Sequence, residues 1–153
     1  MVAEKKPELV AGLLKNLEPA FDTPEAQTRW MIIRTYGLCA KLNPKIAEEA
    51  LNKARSFIKE DSGACLWNRT IIYLGYLGAV SEKYAQRVFP ILEKAFTTVP
   101  RQENAIFEAV ERMASVLDSQ TKNKVLKFAE KYSSNSKSNI KSRATKLLIK
   151  FKK

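Results

Sequence analysis

Histidine is absent from the 153 residues of this chain. Its absence removes the commonest general base near neutral pH, every Ser-His or Cys-His nucleophile pair and the usual zinc ligand. A glycine-rich phosphate loop is also missing, because Gly75 and Gly78 lie inside an apolar segment and do not follow a strand. The sequence therefore predicts a protein that is not an enzyme and that needs neither a metal nor a cofactor.

Glycine, proline and long apolar runs are scarce. The 5 glycines and 6 prolines give too few tight turns for a many-stranded sandwich or barrel. No apolar run reaches the roughly 18 residues that cross a bilayer, and the first residues include Glu4, Lys5 and Lys6 where a signal peptide has an apolar core. Cys39 and Cys65 are interpreted as buried small apolar side chains. We expect a soluble, cytoplasmic protein.

Positive charge is concentrated towards one end of the chain. Residues 1–119 hold 16 Lys or Arg against 15 Asp or Glu, a net of +1. Residues 120–153 hold 11 Lys or Arg against Glu130 alone, a net of +10. Such clustering favours an anionic partner, whether nucleic acid, acidic protein or membrane surface. We predict a single domain over residues 1–153 with a strongly basic part at 120–153.

Apolar residues recur with helical spacing along almost the whole chain, which predicts eight helices. Helix-start signals stand at Thr23-Pro24, Asn43-Pro44, Ser81 and Asp118-Ser119. The expected helices run from about 7 to 21, 24 to 42, 44 to 58, 64 to 80, 82 to 99, 119 to 132 and 138 to 151, with one more that includes residues 106–117.

An internal repeat links these helices into pairs. Gly37 and Gly75 occupy equivalent places in the segments 33–38 and 71–76, which sets a period of 38 residues. A third copy, shifted by one further residue, places Ala114 at the same level. Small residues there are expected to let neighbouring helices approach closely.

The helix pairs, their period and the proline inside the segment Val88-Phe89-Pro90-Ile91-Leu92 resemble the HEAT-repeat family. The resemblance covers nearly the whole chain. It implies an all-α fold, a right-handed α–α superhelix of about four antiparallel helix pairs. Equivalent prolines are missing from the third and seventh helices, and the fourth pair is shorter. The tetratricopeptide repeat, with its period of about 34 residues, fits less well.

In HEAT-like solenoids the second helix of each pair lines the concave surface, so the resemblance implies where a partner binds. The leading hypothesis is a non-enzymatic scaffold that binds a protein partner through this face. The alternatives are a nucleic-acid-binding module that uses the basic C-terminal helices, and a relative of the HEAT-like alkylpurine DNA glycosylases. The predicted partner-binding residues are Arg34, Arg69, Tyr73, Arg112, Lys141, Lys146 and Lys150.

Other polar and aromatic residues leave alternatives open. Trp30 and Trp67 either fill the core or, beside arginine, stack on a base or hold a cation. The C-terminal lysines form either an anion-binding surface or the polar outer side of a capping repeat, and membrane binding is disfavoured. The carboxylate pairs Glu48-Glu49 and Glu60-Asp61 face no opposing acid in the expected arrangement, so catalysis by them is not expected.

Overall fold

The computed structural model describes residues 1–59 and 61–152, which form helices and connecting turns without a strand. Over these residues it has eleven α-helices and two 3-10 helices. No helix within the described ranges is both long and apolar enough to span a membrane. The α-helices are α1 (Val2–Lys5), α2 (Glu8–Ala11), α3 (Leu14–Leu17), α4 (Ala26–Leu38), α5 (Pro44–Glu48), α6 (Leu51–Phe57), α7 (Ala64–Gly78), α8 (Glu82–Thr98), α9 (Glu103–Arg112), α10 (Ser119–Tyr132) and α11 (Ser138–Lys152), and the 3-10 helices are Glu18–Asp22 and Ala114–Val116.

The helices are arranged in two rows. In the first, α4 packs against α7, α7 against α9 and α9 against α11; we name it the α7 row. The second, the α8 row, consists of α3, α5 with α6, α8 and α10: α3 contacts α5, Glu48 of α5 pairs with Arg87 of α8, and α8 contacts α10. Contacts of α3 with α4, of α6 and α8 with α7, and of α10 with α11 join the rows. One continuous apolar cluster, which includes Leu14, Ile71, Phe89 and Phe107, lies among these helices.

Two glycines allow close contacts within the α7 row, as the repeat predicts. A Cβ atom built on Gly37 would lie 2.9 Å from the Cα of Tyr73, and one built on Gly75 would lie 2.9 Å from the Cα of Ala109. The backbones of α4, α7 and α9 therefore meet where a side chain would not fit. The third copy departs from this pattern, because α9 ends at Arg112 and Ala114 lies in a 3-10 helix.

Two of the predicted helix starts are capped as expected. The Ser81 hydroxyl accepts a hydrogen bond from the backbone N–H of Tyr84 at 3.4 Å. The Asp118 carboxylate accepts one from the backbone N–H of Thr121 at 3.0 Å, and hydrogen bonding by Thr121, through its side chain first and its backbone second, lowers the pKa of Asp118. Each cap satisfies a backbone donor that has no partner inside its helix.

At the other two predicted starts, the side-chain cap differs from the prediction. The Thr23 hydroxyl donates to the carbonyl oxygen of Ala20, and α4 begins at Ala26, so the predicted cap is wrong. Helix α5 does begin at Pro44, but the Asn43 amide donates to the carbonyl oxygen of Ala11 at 2.9 Å and caps nothing. In both cases the side chain donates a hydrogen bond to a carbonyl oxygen outside the helix that follows it, and it accepts none from the backbone N–H groups at the start of that helix.

The first and third predicted helices are interrupted. Residues 7–21 form α2, α3 and most of a 3-10 helix, and residues 44–57 form α5 and α6. A buried tyrosine of the α7 row bonds to each interrupted segment: Tyr36 donates to the carbonyl oxygen of Leu14 at 2.8 Å, and Tyr73 donates to that of Ala47 at 2.5 Å. Pro90 lies inside α8, as predicted.

Candidate functional site

Tyr73 is the predicted contact residue that the structure places elsewhere. Its side chain has 0% of its surface exposed, and burial raises the pKa of its hydroxyl. The prediction that Tyr73 lines an open surface is therefore wrong. The physical reason is that Gly37 of α4 lies against the backbone of Tyr73 while the Tyr73 hydroxyl donates to the Ala47 carbonyl oxygen of α5, so the side chain lies between helices of the two rows.

Arg69 and Arg112 lie on aromatic rings of the neighbouring helix. The guanidinium carbon of Arg69, on α7, is 5.4 Å from the ring centroid of Trp30 on α4. That of Arg112, on α9, is 4.5 Å from the ring centroid of Tyr76 on α7. A cation over a ring face is attracted by the ring quadrupole, and the planar guanidinium group stacks on it. Both arginines are thus held in place before any partner binds.

Arg34 and Arg143 are held by carboxylates. Arg34 forms an ion pair with Glu4 on α1. Arg143 lies 3.7 Å from a carboxylate oxygen of Glu108 on α9 and donates to the carbonyl oxygen of Asn104 at 3.4 Å. Sequence reasoning missed Arg143, although it stands between the predicted residues Lys141 and Lys146 on the same helix.

The four arginines share one arrangement. Each binds a group on a helix that precedes its own in the chain and packs beside it: α1 for Arg34, α4 for Arg69, α7 for Arg112 and α9 for Arg143. These four guanidinium groups are therefore positioned by the structure, and two of them are positioned by aromatic rings.

Two clefts border the aromatic-bound arginines. The first, of about 430 Å³, lies beside Tyr76 and Arg112. The second, of about 300 Å³, lies beside Trp30 and Arg69. Their lining is cationic, aromatic, aliphatic, small or neutral polar, and the described residues that line them include no carboxylate. The further lining residues are Gly37, Leu38, Lys41, Ala79, Val80 and Ser115 in the first cleft and Ala64, Cys65, Asn68, Arg101 and Gln102 in the second.

The three predicted lysines of α11 are exposed. Lys150 lines a shallow depression of about 300 Å³ together with Arg112, Glu108 and Glu111. The structure thus brings Lys150 beside Arg112 and two carboxylates. Lys141 and Lys146 line neither of the clefts beside the aromatic-bound arginines.

One tryptophan and one cysteine lie in the core, whereas the other tryptophan and the other cysteine are at least partly exposed. Trp67 is buried and its indole N–H donates to the carbonyl oxygen of Lys59, whereas Trp30 is half-buried under Arg69. Cys39 is fully buried, and burial raises the pKa of its thiol. Cys65 is exposed and lines a cleft, so its interpretation as a buried side chain is wrong.

The carboxylate pair Glu48-Glu49 is engaged in structural contacts. Glu48 pairs with Arg87 and accepts a hydrogen bond from the Tyr84 hydroxyl at 3.2 Å. Glu49 pairs with Lys15 at 2.7 Å.

Glu60 of the other pair lies outside the described residues, and Asp61 is exposed. Within the two described ranges, no group of three or more His, Cys, Asp or Glu side chains is placed to hold a metal ion.

Comparison with known proteins gives no relative: no protein-family model, curated protein or solved structure matches the chain. The class of protein is therefore defined by the structure itself. It is an all-α protein with two rows of helices, in which one row presents arginines held against its own aromatic and acidic side chains.

Proposed function

We propose that this protein is a non-enzymatic HEAT-like scaffold that binds a protein partner through a concave face formed by the α7 row. The proposed architecture is a right-handed superhelix of about four antiparallel helix pairs. Three observations support it: the succession of contacts from α4 to α11, the glycine contacts at Gly37 and Gly75, and the proline inside α8.

The observation that carries the binding proposal is the placement of Arg69 on Trp30 and of Arg112 on Tyr76, each beside a cleft. Arginine, tryptophan and tyrosine are the residues enriched at the energetic centres of protein interfaces. A guanidinium group already fixed on a ring loses little further conformational entropy when it binds a carboxylate. The proposed partner therefore presents acidic side chains to this face.

The clefts contain small apolar surfaces beside the arginines. Leu38, Ala79 and Val80 line the cleft at Tyr76, and all three are partly exposed. A partner segment with an apolar side chain next to an acidic one matches this combination. The alkylpurine glycosylase alternative gains no support, because the described lining residues of both clefts supply no carboxylate to act as the catalytic acid.

Cys65 supports the proposed cytoplasmic location. Its thiol is exposed and free, and such thiols persist in reducing compartments. The same thiol gives a chemical handle on the proposed face, because it lines the cleft beside Trp30 and Arg69 while Cys39 is buried.

The experiment attaches a thiol-reactive photocrosslinker to Cys65 of the native protein and irradiates it in a lysate of its source. We expect covalent capture of a protein whose yield falls at least about tenfold in the double variant Arg69→Ala/Arg112→Ala, because loss of interface arginines removes large contributions to binding. The matched control is Lys45→Ala/Lys83→Ala, which removes the same charge from exposed positions of the α8 row.

Equal yields from both double variants would contradict the proposal. Capture of the same protein by a crosslinker moved to the other row, in Cys65→Ser/Gln120→Cys, would contradict it too. Recovery of nucleic acid at Cys65 in place of protein would assign the face to a different class of partner.

A further inference from the structure

The α8 row has a basic cleft of its own, lined by lysines. A cleft of about 410 Å³ lies between α8 and α10. Lys94 stands on the α8 wall, and Lys127 and Lys131 stand on the α10 wall. We name it the lysine cleft. Its remaining lining residues are Pro90, Glu93, Thr97, Phe128 and Tyr132.

Aromatic packing holds the two walls of the lysine cleft in place. The ring centroid of Phe96 on α8 is 4.1 Å from that of Tyr132 and 5.2 Å from that of Phe128, both on α10. Phe89 also meets Phe128, at 5.9 Å. Such pairs rigidify the contact between the helices, so the cleft exists before a ligand arrives.

The charge of the lysine cleft comes from Lys94, Lys127 and Lys131, and the ammonium nitrogen of Lys131 lies 5.4 Å from the ring centroid of Tyr132. Among the residues that the structure describes, no ion pair involves Lys94, Lys127 or Lys131. Glu93 is the carboxylate in the lining, so three lysines face one glutamate, a net of +2. Lys124, one helical turn before Lys127, is exposed and continues the line of lysine side chains along α10.

We propose that the lysine cleft binds the phosphate backbone of a single nucleic-acid strand. Lysine ammonium groups are compact charges that suit phosphate oxygens, whereas lysine is depleted from protein interfaces. The axes of packed helices lie about 8–10 Å apart, so the surface groove between α8 and α10 lets a single strand lie along it and contact lysines on both walls, and it is narrower than a duplex. Contacts of this kind position the strand without reading its bases.

The charge distribution favours this occupant over a short acidic peptide. Lys127 and Lys131 belong to the basic part at 120–153, whose net of +10 attracts a polyanion along its length. Lys94 comes from the nearly neutral part of the chain, and only the fold brings it to the cleft. This site lies on the α8 row, so it is independent of the protein-binding face proposed for the α7 row.

The test measures fluorescence anisotropy of a labelled single-stranded oligothymidine of about 20 nucleotides over a series of salt concentrations. We expect Lys127→Gln/Lys131→Gln to weaken binding at least about tenfold at low salt. Its slope of log affinity against log salt should be smaller by about 1.4, since each lost phosphate contact on a single strand removes about 0.7. The variant Glu93→Gln should bind about threefold more tightly, because it removes the opposing charge.

The matched control, Lys141→Gln/Lys150→Gln on α11, removes the same charge from the other row and should change affinity by less than about threefold. Circular dichroism of each variant verifies that it is folded. Equal losses in the two double variants would overturn the proposal, since they would mean that diffuse charge and not the cleft binds the strand. Absence of binding by the wild-type chain at about 50 mM salt, or equally tight binding of a duplex or of polyglutamate, would overturn it as well.

Discussion

The α7 row and the α8 row pack through different side chains, and their clefts carry different cationic side chains. Gly37 and Gly75 bring the helices of the α7 row together, and the arginines of that row are bound to aromatic or acidic groups. In the α8 row, the rings of Phe96 and Tyr132 pack against each other between α8 and α10, and a cleft with three lysines lies beside them. The contrast is between four arginines that are bound to groups of a neighbouring helix and three cleft lysines for which no ion pair is found among the described residues.

The largest expected effect tests the close packing of the α7 row. In Gly75→Val the new Cβ would lie 2.9 Å from both the Cα and the Cβ of Ala109, so α7 and α9 must separate. We expect a loss of roughly 3 kcal/mol or more in the free energy of unfolding, measured by urea denaturation. Gly12→Ala, whose Cβ would meet no atom within 4 Å, should change it by less than about 1 kcal/mol. Equal midpoints for the two variants would refute the close contact.

An intermediate effect tests the hydroxyl groups that join the rows. Burial raises the pKa of Tyr36 to about 12 and that of Tyr73 further. Unfolded tyrosine ionises near pH 10, about two units lower than folded Tyr36, so the unfolded state loses protons first. The stability that the neutral hydroxyl contributes is present below about pH 10 and is lost as the pH rises through about 12.

The variant Tyr36→Phe removes this titration. We expect it to be less stable than the wild type by about 1 kcal/mol at neutral pH, because the Leu14 carbonyl loses a donor. Its stability should fall less steeply between about pH 10 and 12, as measured by urea denaturation at several pH values. A wild-type slope in Tyr36→Phe would show that the hydroxyl is not buried as described.

The smallest expected effect compares the stability contribution of a cation bound to an aromatic ring with that of a cation exposed to solvent. Arg112→Ala removes a guanidinium group stacked on Tyr76 and should cost about 0.5–1 kcal/mol of stability. Lys127→Ala removes an exposed charge without an ion pair and should change stability by less than about 0.5 kcal/mol. The two variants are compared by urea denaturation under identical salt conditions. Equal losses of stability in the two variants would remove the distinction between the ring-bound arginine of the α7 row and the exposed lysine of the α8 row.

The features of the fold that sequence predicts are those that arise from local or periodic signals. Helical spacing predicts the all-α class, the caps at Ser81 and Asp118 follow from side chains beside free backbone donors, and the recurrence of Gly37 and Gly75 predicts the close contacts. The interruptions in the first and third predicted helices escape prediction. They coincide with hydrogen bonds from tyrosines more than twenty residues away, which no local signal contains.

The candidate site was predictable only in part, because it depends on how each helix is rotated. Periodicity places Arg69 and Tyr73 four residues apart on one side of α7, yet Arg69 is half-buried at a cleft and Tyr73 is fully buried, with its hydroxyl bonded to Ala47 of α5. A rotation of a few tens of degrees decides between these outcomes, and hydrophobic spacing does not resolve it. Lys94 is a similar case, since the two other lysines of the lysine cleft, Lys127 and Lys131, lie more than thirty residues further along the chain.

The succession of contacts from α4 to α7, α9 and α11 means that extensive packing joins helices that are near one another along the chain. One repeat of about 38 residues separates the helices that these contacts join, so the loops that they close are much shorter than the chain, and we expect the conformational entropy lost on closing them to be modest. During synthesis, α4 and α7 can assemble before α9 and α11 leave the ribosome. We expect the apolar surface of the α7 row to be buried helix by helix as the chain emerges.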